Sequence, residues 1–225
     1  MVEIGHPDTV TIDVRPYKSV ALTVSGGLDS ASLLFMICES AIQHHLEDSF
    51  KIFAFTVPNR GDVFCGYFAA LVVQKAQNHF HNKVIIEHIV HNSSLGGKYK
   101  TEAMEAFQKE MARTGKIEAF FDGVTLNPTD PSFQFQPPGG DYVKKMSHRD
   151  FDCHQPKTVK KQAYHIDYCR PLANVDKRFV RDYFQKHGLL EEMIEITRSC
   201  TDFNSVECGC CWWCQERQWV LNCVP

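Results

Sequence analysis

The sequence predicts an α/β fold: a doubly wound, parallel sheet with helices on both faces, closed at its C-terminal end by a four-cysteine knuckle. Three observations predict it. Short apolar runs rich in Val, Ile and Phe alternate with longer helical stretches, the pattern that builds parallel sheets with crossover helices. The first of these runs ends in Ser25-Gly26-Gly27-Leu28-Asp29-Ser30, immediately before a helical stretch. Near the other end stand Cys200, Cys208, Cys211 and Cys214 at metal-ligand spacing.

The elements are expected in this order. The first 17 residues read as a short strand or arm. Strands follow at Ser19 to Val24, Lys51 to Val57, Val84 to Val90 and Ile117 to Phe121, each short and apolar. Helices are expected at Asp29 to His45, Val63 to Phe80 and Thr101 to Thr114 between them. Gly123 to Tyr164 is irregular, broken by Pro128, Pro131, Pro137, Pro138, Gly139 and Gly140. Following a strand, it reads as a substrate-covering loop; a flexible surface insertion is the competing reading for Phe133 to Gly140. Two further helices, Asp176 to Gly188 and Leu189 to Thr197, lead into the knuckle, with Gly188 as a C′ stop. A closing helix starts near Gln215. Residues 1–175 thus form the nucleotide-binding part and residues 176–225 a helical segment with the knuckle, packed on the same domain.

Composition bounds the function classes. The 225 residues are 44% hydrophobic and 23% charged, enough for a sizeable core and unlike a disordered chain. The net charge of −3 argues against a broad nucleic-acid footprint and for a small-molecule substrate. No apolar run is long enough to span a membrane. The first residues, Met1-Val2-Glu3-Ile4-Gly5-His6, carry no secretory pattern, so a cytoplasmic, reducing setting is expected.

The glycine loop is the firmest candidate site. Glycines let the backbone approach an anion closely, and the positive end of the following helix faces it. Hydroxyls of Ser25, Ser30 and Ser32 add donors, and Asp29 can sit beside Mg²⁺. An ordinary strand-to-helix turn capped by Ser or Asp would explain one polar residue, not the whole run. A Walker loop is excluded, because no Gly-Lys-Ser/Thr follows. At the other end, four thiolates can converge on one tetrahedral Zn²⁺. Cys210 is the spare thiol, although a register using it in place of Cys208 or Cys211 also fits. A disulfide cluster conflicts with a reducing compartment; spacing alone also fits an iron–sulfur site.

The Ser25 to Ser30 run resembles the SGGxDS signature of the PP-loop ATP pyrophosphatases. Within that family, Cys200, Cys208-Gly209, Cys211, Cys214 and Arg217 resemble the C-terminal pattern of 7-cyano-7-deazaguanine (preQ0) synthases. Arg170 to Lys177 resembles the segment that opens their last large helix, and Leu189 to Cys200 the stretch before the first zinc ligand. The resemblance covers the first strand and helix and about the last quarter of the chain. It implies an adenine nucleotide α-hydrolase-like fold and a carbon–nitrogen ligase. Such a ligase adenylates 7-carboxy-7-deazaguanine with ATP and uses ammonia to form the nitrile through an amide. It further implies a structural Zn²⁺ on Cys200, Cys208, Cys211 and Cys214, ATP with Mg²⁺, and a homodimer without direct nucleic-acid contact. ATP would meet Val24, Ser25, Gly26, Gly27, Leu28, Asp29, Ser30, Ala31 and Ser32, with Asp29, Ser30 and Lys177 catalytic. The middle departs from the family pattern: Phe55-Thr56-Val57-Pro58-Asn59-Arg60 and Asp122 to Asp130 stand where its usual second-strand and substrate motifs lie.

The residues of that middle region are read from position. Arg60, just past the second strand, is placed to meet phosphate or a substrate carboxylate; Asp122, Asn127 and Asp130, past the fourth, are placed to meet substrate. Lys177 or Arg178 would neutralise the departing pyrophosphate, Arg178 reading otherwise as a solvated helix residue. Cys153 and Cys169 read as packed thiols, or as a redox pair if the chemistry is tRNA thiolation rather than ligation. His148-Arg149-Asp150 echoes a kinase loop without its partner motifs. Trp212, Trp213 and Trp219 are expected to pack the knuckle against the sheet domain. A zinc-knuckle module that binds nucleotide or nucleic acid without catalysis is the reading from another class.

Overall fold

The computed structural model describes residues 10–58, 64–91, 98–137, 158–161, 164–200 and 207–222. Its elements run β1 (Ser19–Thr23), α1 (Leu28–Gln43), β2 (Lys51–Thr56), α2 (Phe64–His79), β3 (Ile85–Val90), α3 (Lys98–Arg113), β4 (Ala119–Phe121), β5 (Thr158–Lys161), β6 (Ile166–Cys169), α4 (Lys177–Lys186), α5 (Leu190–Ile196) and α6 (Trp212–Asn222). Among the described residues these strands form one sheet in the order β3-β2-β1-β4-β6-β5. All pairs are parallel except β5 with β6.

Strand alternation divides the core between the two faces of the sheet. Val20 and Leu22 of β1, Ile52 and Ala54 of β2, and Ala119 and Phe121 of β4 point to one face. There they meet Leu34 and Ile37 of α1, Val72 of α2, Phe179 and Val180 of α4 and Met193 of α5. Ala21, Phe53 and Phe120, offset by one residue, point to the other face, where Met104, Phe107 and Met111 of α3 cover them. Val20, Ala21 and Leu22 are wholly buried, as a central strand flanked on both faces requires.

The doubly wound α/β class, with helices on both faces, is therefore as the sequence predicts. Two strands are additions. The stretch expected to be an irregular loop contains β5, and β6 follows directly. β5 reads Thr-Val-Lys-Lys and lies at the sheet edge. Antiparallel pairing on an edge is made by backbone groups, so no apolar alternation marked it. The order reverses at β1: β2 and β3 lie to one side, β4 and β6 to the other. The carboxyl ends of β1 and β4 flank this switch point, the place where such sheets bind ligands.

Candidate functional site

The loop after β1 is held from every side. Gly26 has φ +80°, and a Cβ there would lie 2.7 Å from Phe68 Cβ and 2.9 Å from the Ala69 nitrogen of α2. Only glycine fits both the dihedral and the space. Val24 N–H donates to Phe55 O at 2.9 Å, and the Thr56 hydroxyl donates to Val24 O at 2.7 Å. Ser25 N–H donates to Ser30 Oγ, and the two serine hydroxyls lie 3.1 Å apart. The N-cap of α1 is Gly27, which offers no side-chain cap. The bland alternative, a Ser or Asp cap, is thus not what closes this turn, and the helix's positive end stands at the carboxyl end of β1 with a glycine in front of it.

Several elements converge on this loop. Gly123, just past β4, sits so close to α1 that a Cβ would lie 3.2 Å from Ser30 Cα and 3.3 Å from Asp29 O. From behind, Arg198 N–H donates to Gly26 O at 2.8 Å, laying the chain after α5 along the loop. From α4, Lys177 Nζ reaches Asp29 Oδ2 at 3.3 Å and Glu216 Oε2 of α6 at 3.0 Å. The Lys177 side chain is 3% exposed, that of Glu216 0% and that of Asp29 24%. Asp29 is thus the member of this chain of charges that opens to solvent.

The helix α4 starts where it does because Asp176 caps it, accepting the Arg178 N–H at 2.9 Å. That cap fixes Lys177 at the first helical position. Arg178 lies over Trp219 and joins Asp176 and Asp130, each at 2.7 Å. It is a tie between α4, α6 and the loop after β4, not a solvated residue. Asp130 is drawn below its ordinary value by its hydrogen bonds with Ser132 and the Arg178 charge.

Cys200, Cys208, Cys211 and Cys214 bring their sulfurs within 4.8 Å of one another. Cys208 and Cys214 Sγ are 3.9 Å apart. Four thiolates on one tetrahedral ion, with metal–sulfur bonds near 2.3 Å, stand about 3.8 Å apart, so a single ion fits this set. The hydrogen bond with Cys211 and burial push the Cys214 thiol up. Cys210 is outside the group, its carbonyl accepting from Gln215 Nε2. Gly209 supplies φ +69° between Cys208 and Cys210.

Aromatic contacts join the knuckle helix to the sheet domain. Trp213 packs on the cysteines, but Trp212 and Trp219 meet Phe133, and Trp212 also meets Phe135. Phe133 and Phe135 belong to the stretch after β4, so Trp212 and Trp219 pack against the sheet domain through its loop rather than its strands. Gln136 N–H donates to Gln215 Oε1 and Gln215 Nε2 returns a bond to Gln136 O. Trp219 Nε1 donates to Ser132 Oγ. Residues 131–137 are therefore a strap clamped to α6 rather than a flexible insertion.

The remaining predicted residues divide. Val24, Leu28 and Ala31 are buried in the core, so their side chains cannot meet a nucleotide. Ser32 is fully buried and donates its hydroxyl to Asp29 O, which removes it from the donors expected for phosphate. Asp122 accepts from Tyr168 OH at 2.6 Å, and burial and this carboxylate push the phenol up. Asn127 is wholly buried, so its side chain has no open path to a ligand. Asn59, Arg60, Cys153 and the segment 148–150 lie outside the described residues. Cys169 is buried beside Tyr17 and Thr158. Sequence reading missed Arg198 and Glu216. A signal for Glu216 existed: spaced by four from Trp212 and Val220, it puts a charge on the buried stripe of α6.

No protein-family model matches the chain, and no curated protein matches it. Among solved structures, a U34-tRNA thiolase NcsA from Methanococcus maripaludis, with its 4Fe-4S cluster, is similar with a TM-score of 0.50 and 14% identity over 90% of this chain. The chain spans 64% of that thiolase. A phosphoadenylyl-sulfate reductase from Candida auris, in a phosphate complex, matches at a TM-score of 0.41 and 11% identity over 75% of this chain and 72% of its own. At such identities the likeness to the thiolase shows a shared fold: a mostly parallel α/β sheet of the adenine nucleotide α-hydrolase kind. No helix among the described residues is long and apolar enough to cross a membrane.

Proposed function

We propose that this chain is a PP-loop enzyme that cleaves ATP between the α and β phosphates and transfers AMP to an oxygen of its substrate. One observation carries the reading: the Ser25 to Ser30 loop lies at the switch point of the sheet, with buried Lys177 paired to its Asp29. Loop amides and the α1 N-terminus receive the phosphates. Asp29 would hold Mg²⁺, which when bound neutralises phosphate charge. Lys177 offsets the charge that develops on pyrophosphate as the α–β bridging bond breaks.

The substrate we assign is 7-carboxy-7-deazaguanine, on the order and spacing of Cys200, Cys208-Gly209, Cys211, Cys214 and Arg217. Its carboxylate oxygen attacks the α-phosphorus and pyrophosphate leaves. Ammonia then attacks the acyl carbon, AMP leaves, and a proton passes to solvent, giving the amide. A second ATP adenylates the amide oxygen; loss of AMP and the remaining nitrogen protons gives the nitrile. Zn²⁺ on the four thiolates would be structural, since four sulfurs leave no open position.

A second reading, tRNA thiolation, draws on the fold shared with a U34-tRNA thiolase that carries a 4Fe-4S cluster. It predicts iron at the cysteine set, whereas sulfurs this close fit one ion. Mass spectrometry of products from ATP, Mg²⁺, ammonium and 7-carboxy-7-deazaguanine decides. Nitrile with AMP and pyrophosphate supports the ligase. No product, together with a brown, iron-containing protein that thiolates tRNA given a sulfide donor, selects the second reading.

A further inference from the structure

We infer that Glu216 is the positioning residue for Lys177, and that through it the cysteine knuckle sets the geometry of the ATP loop. This deepens the ATP-cleavage reading and rests on it. A wholly buried carboxylate is costly unless a cation pairs with it. On the stripe shared with Trp212 and Val220, an apolar residue would satisfy packing alone. Wholly buried Glu216 instead reaches Lys177 Nζ at 3.0 Å, while the partly exposed Asp29 reaches it at 3.3 Å.

An ammonium is a point charge on a flexible stem. Without the Glu216 carboxylate, it would be freer to follow Asp29 whenever nucleotide or a cation engages that residue. A second carboxylate, inaccessible to ligand, keeps Nζ at the loop through that exchange. Glu216 stands two residues after Cys214 on α6, and its neighbour Arg217 donates to Thr197 Oγ1 at 3.0 Å and to Ile194 O. Thr197 adjoins Arg198, whose amide holds Gly26. The knuckle therefore reaches the loop along two routes, one of them the ion pair.

The test compares full-length wild type with Glu216→Met, which keeps volume without oxygens, and Glu216→Gln, which keeps one acceptor. We expect Glu216→Met to lower kcat for pyrophosphate release by about 10- to 100-fold while KM for ATP moves less than about 3-fold. Glu216→Gln should return kcat to within about 5-fold of wild type, and bound metal should stay equal in all three. Independently of activity, the Lys177 ammonium signal in ¹⁵N NMR, assigned with Lys177→Arg, should be present in wild type and Gln and lost in Met. Wild-type kcat in Glu216→Met, or a retained ammonium signal there, overturns the inference. A wild type that makes no AMP and pyrophosphate defeats the ATP reading instead, while the ammonium signal still decides whether Glu216 holds Lys177. Should Glu216→Met not fold, Glu216→Asp, with its carboxylate drawn back one methylene, takes its place with the same expected outcome.

Discussion

At the scale of single residues, the loop combines positions that tolerate nothing else with positions that only chemistry explains. Gly26 is of the first kind. Gly26→Ala forces a Cβ into Phe68 and a side chain into φ +80°, and should cost about 1–3 kcal/mol, read by urea unfolding. Asp29 is of the second. Its carboxylate is partly exposed, so Asp29→Ala should keep the melting temperature and lower ATP cleavage by at least about 100-fold. An active variant would remove the PP-loop assignment. Arg217 was legible as part of a motif, yet its role is packing: it is 5% exposed and satisfies the end of α5. Arg217→Ala should destabilise by about 3 kcal/mol by leaving those acceptors unpaired.

At the scale of elements, α6 is the hub, joining the cysteines, the strap after β4 and α4. Cys211→Ser removes one of four metal ligands. It should lower metal content and, for a loss of about 3 kcal/mol in a chain of 225 residues, lower Tm by roughly 6–12 °C. A fully stable, metal-free variant would rule out the structural role. The junction of β2 and β3 adds a pH effect. His88 Nε2 lies 2.9 Å from Thr56 Oγ1, whose hydroxyl already donates to Val24 O, so the ring nitrogen is the donor. Burial lowers the His88 pKa below 6.5. Its unfolded form binds protons first, so the stability it contributes is present above about pH 6.5 and lost as pH falls through the lower folded value. His88→Gln should flatten the fall of Tm between about pH 7 and 5; an unchanged slope would exclude His88 as the cause.

At the scale of the whole molecule, what could be read from the chain was what local physics dictates. Short, continuous apolar runs gave the first four strands, because burial on two faces demands them, and the longer stretches between them gave the helices. The glycine loop and the cysteine set were legible because dihedral freedom and thiolate spacing are local properties. Tertiary structure alone decided the rest. β5 was invisible because edge pairing uses backbone groups common to every residue. Ser32 looked like a phosphate donor until packing buried it completely. Arg178 looked solvated until Asp130 and Trp219, distant in sequence, closed around it. The chain Asp29–Lys177–Glu216 joins residues up to 187 positions apart, and no local pattern specifies such a distance. Sequence determined which groups are present and which elements carry them; only the packing of α4 and α6 onto the loop decided which charges meet, because ion pairing inside a protein depends on separation in space and removal from water.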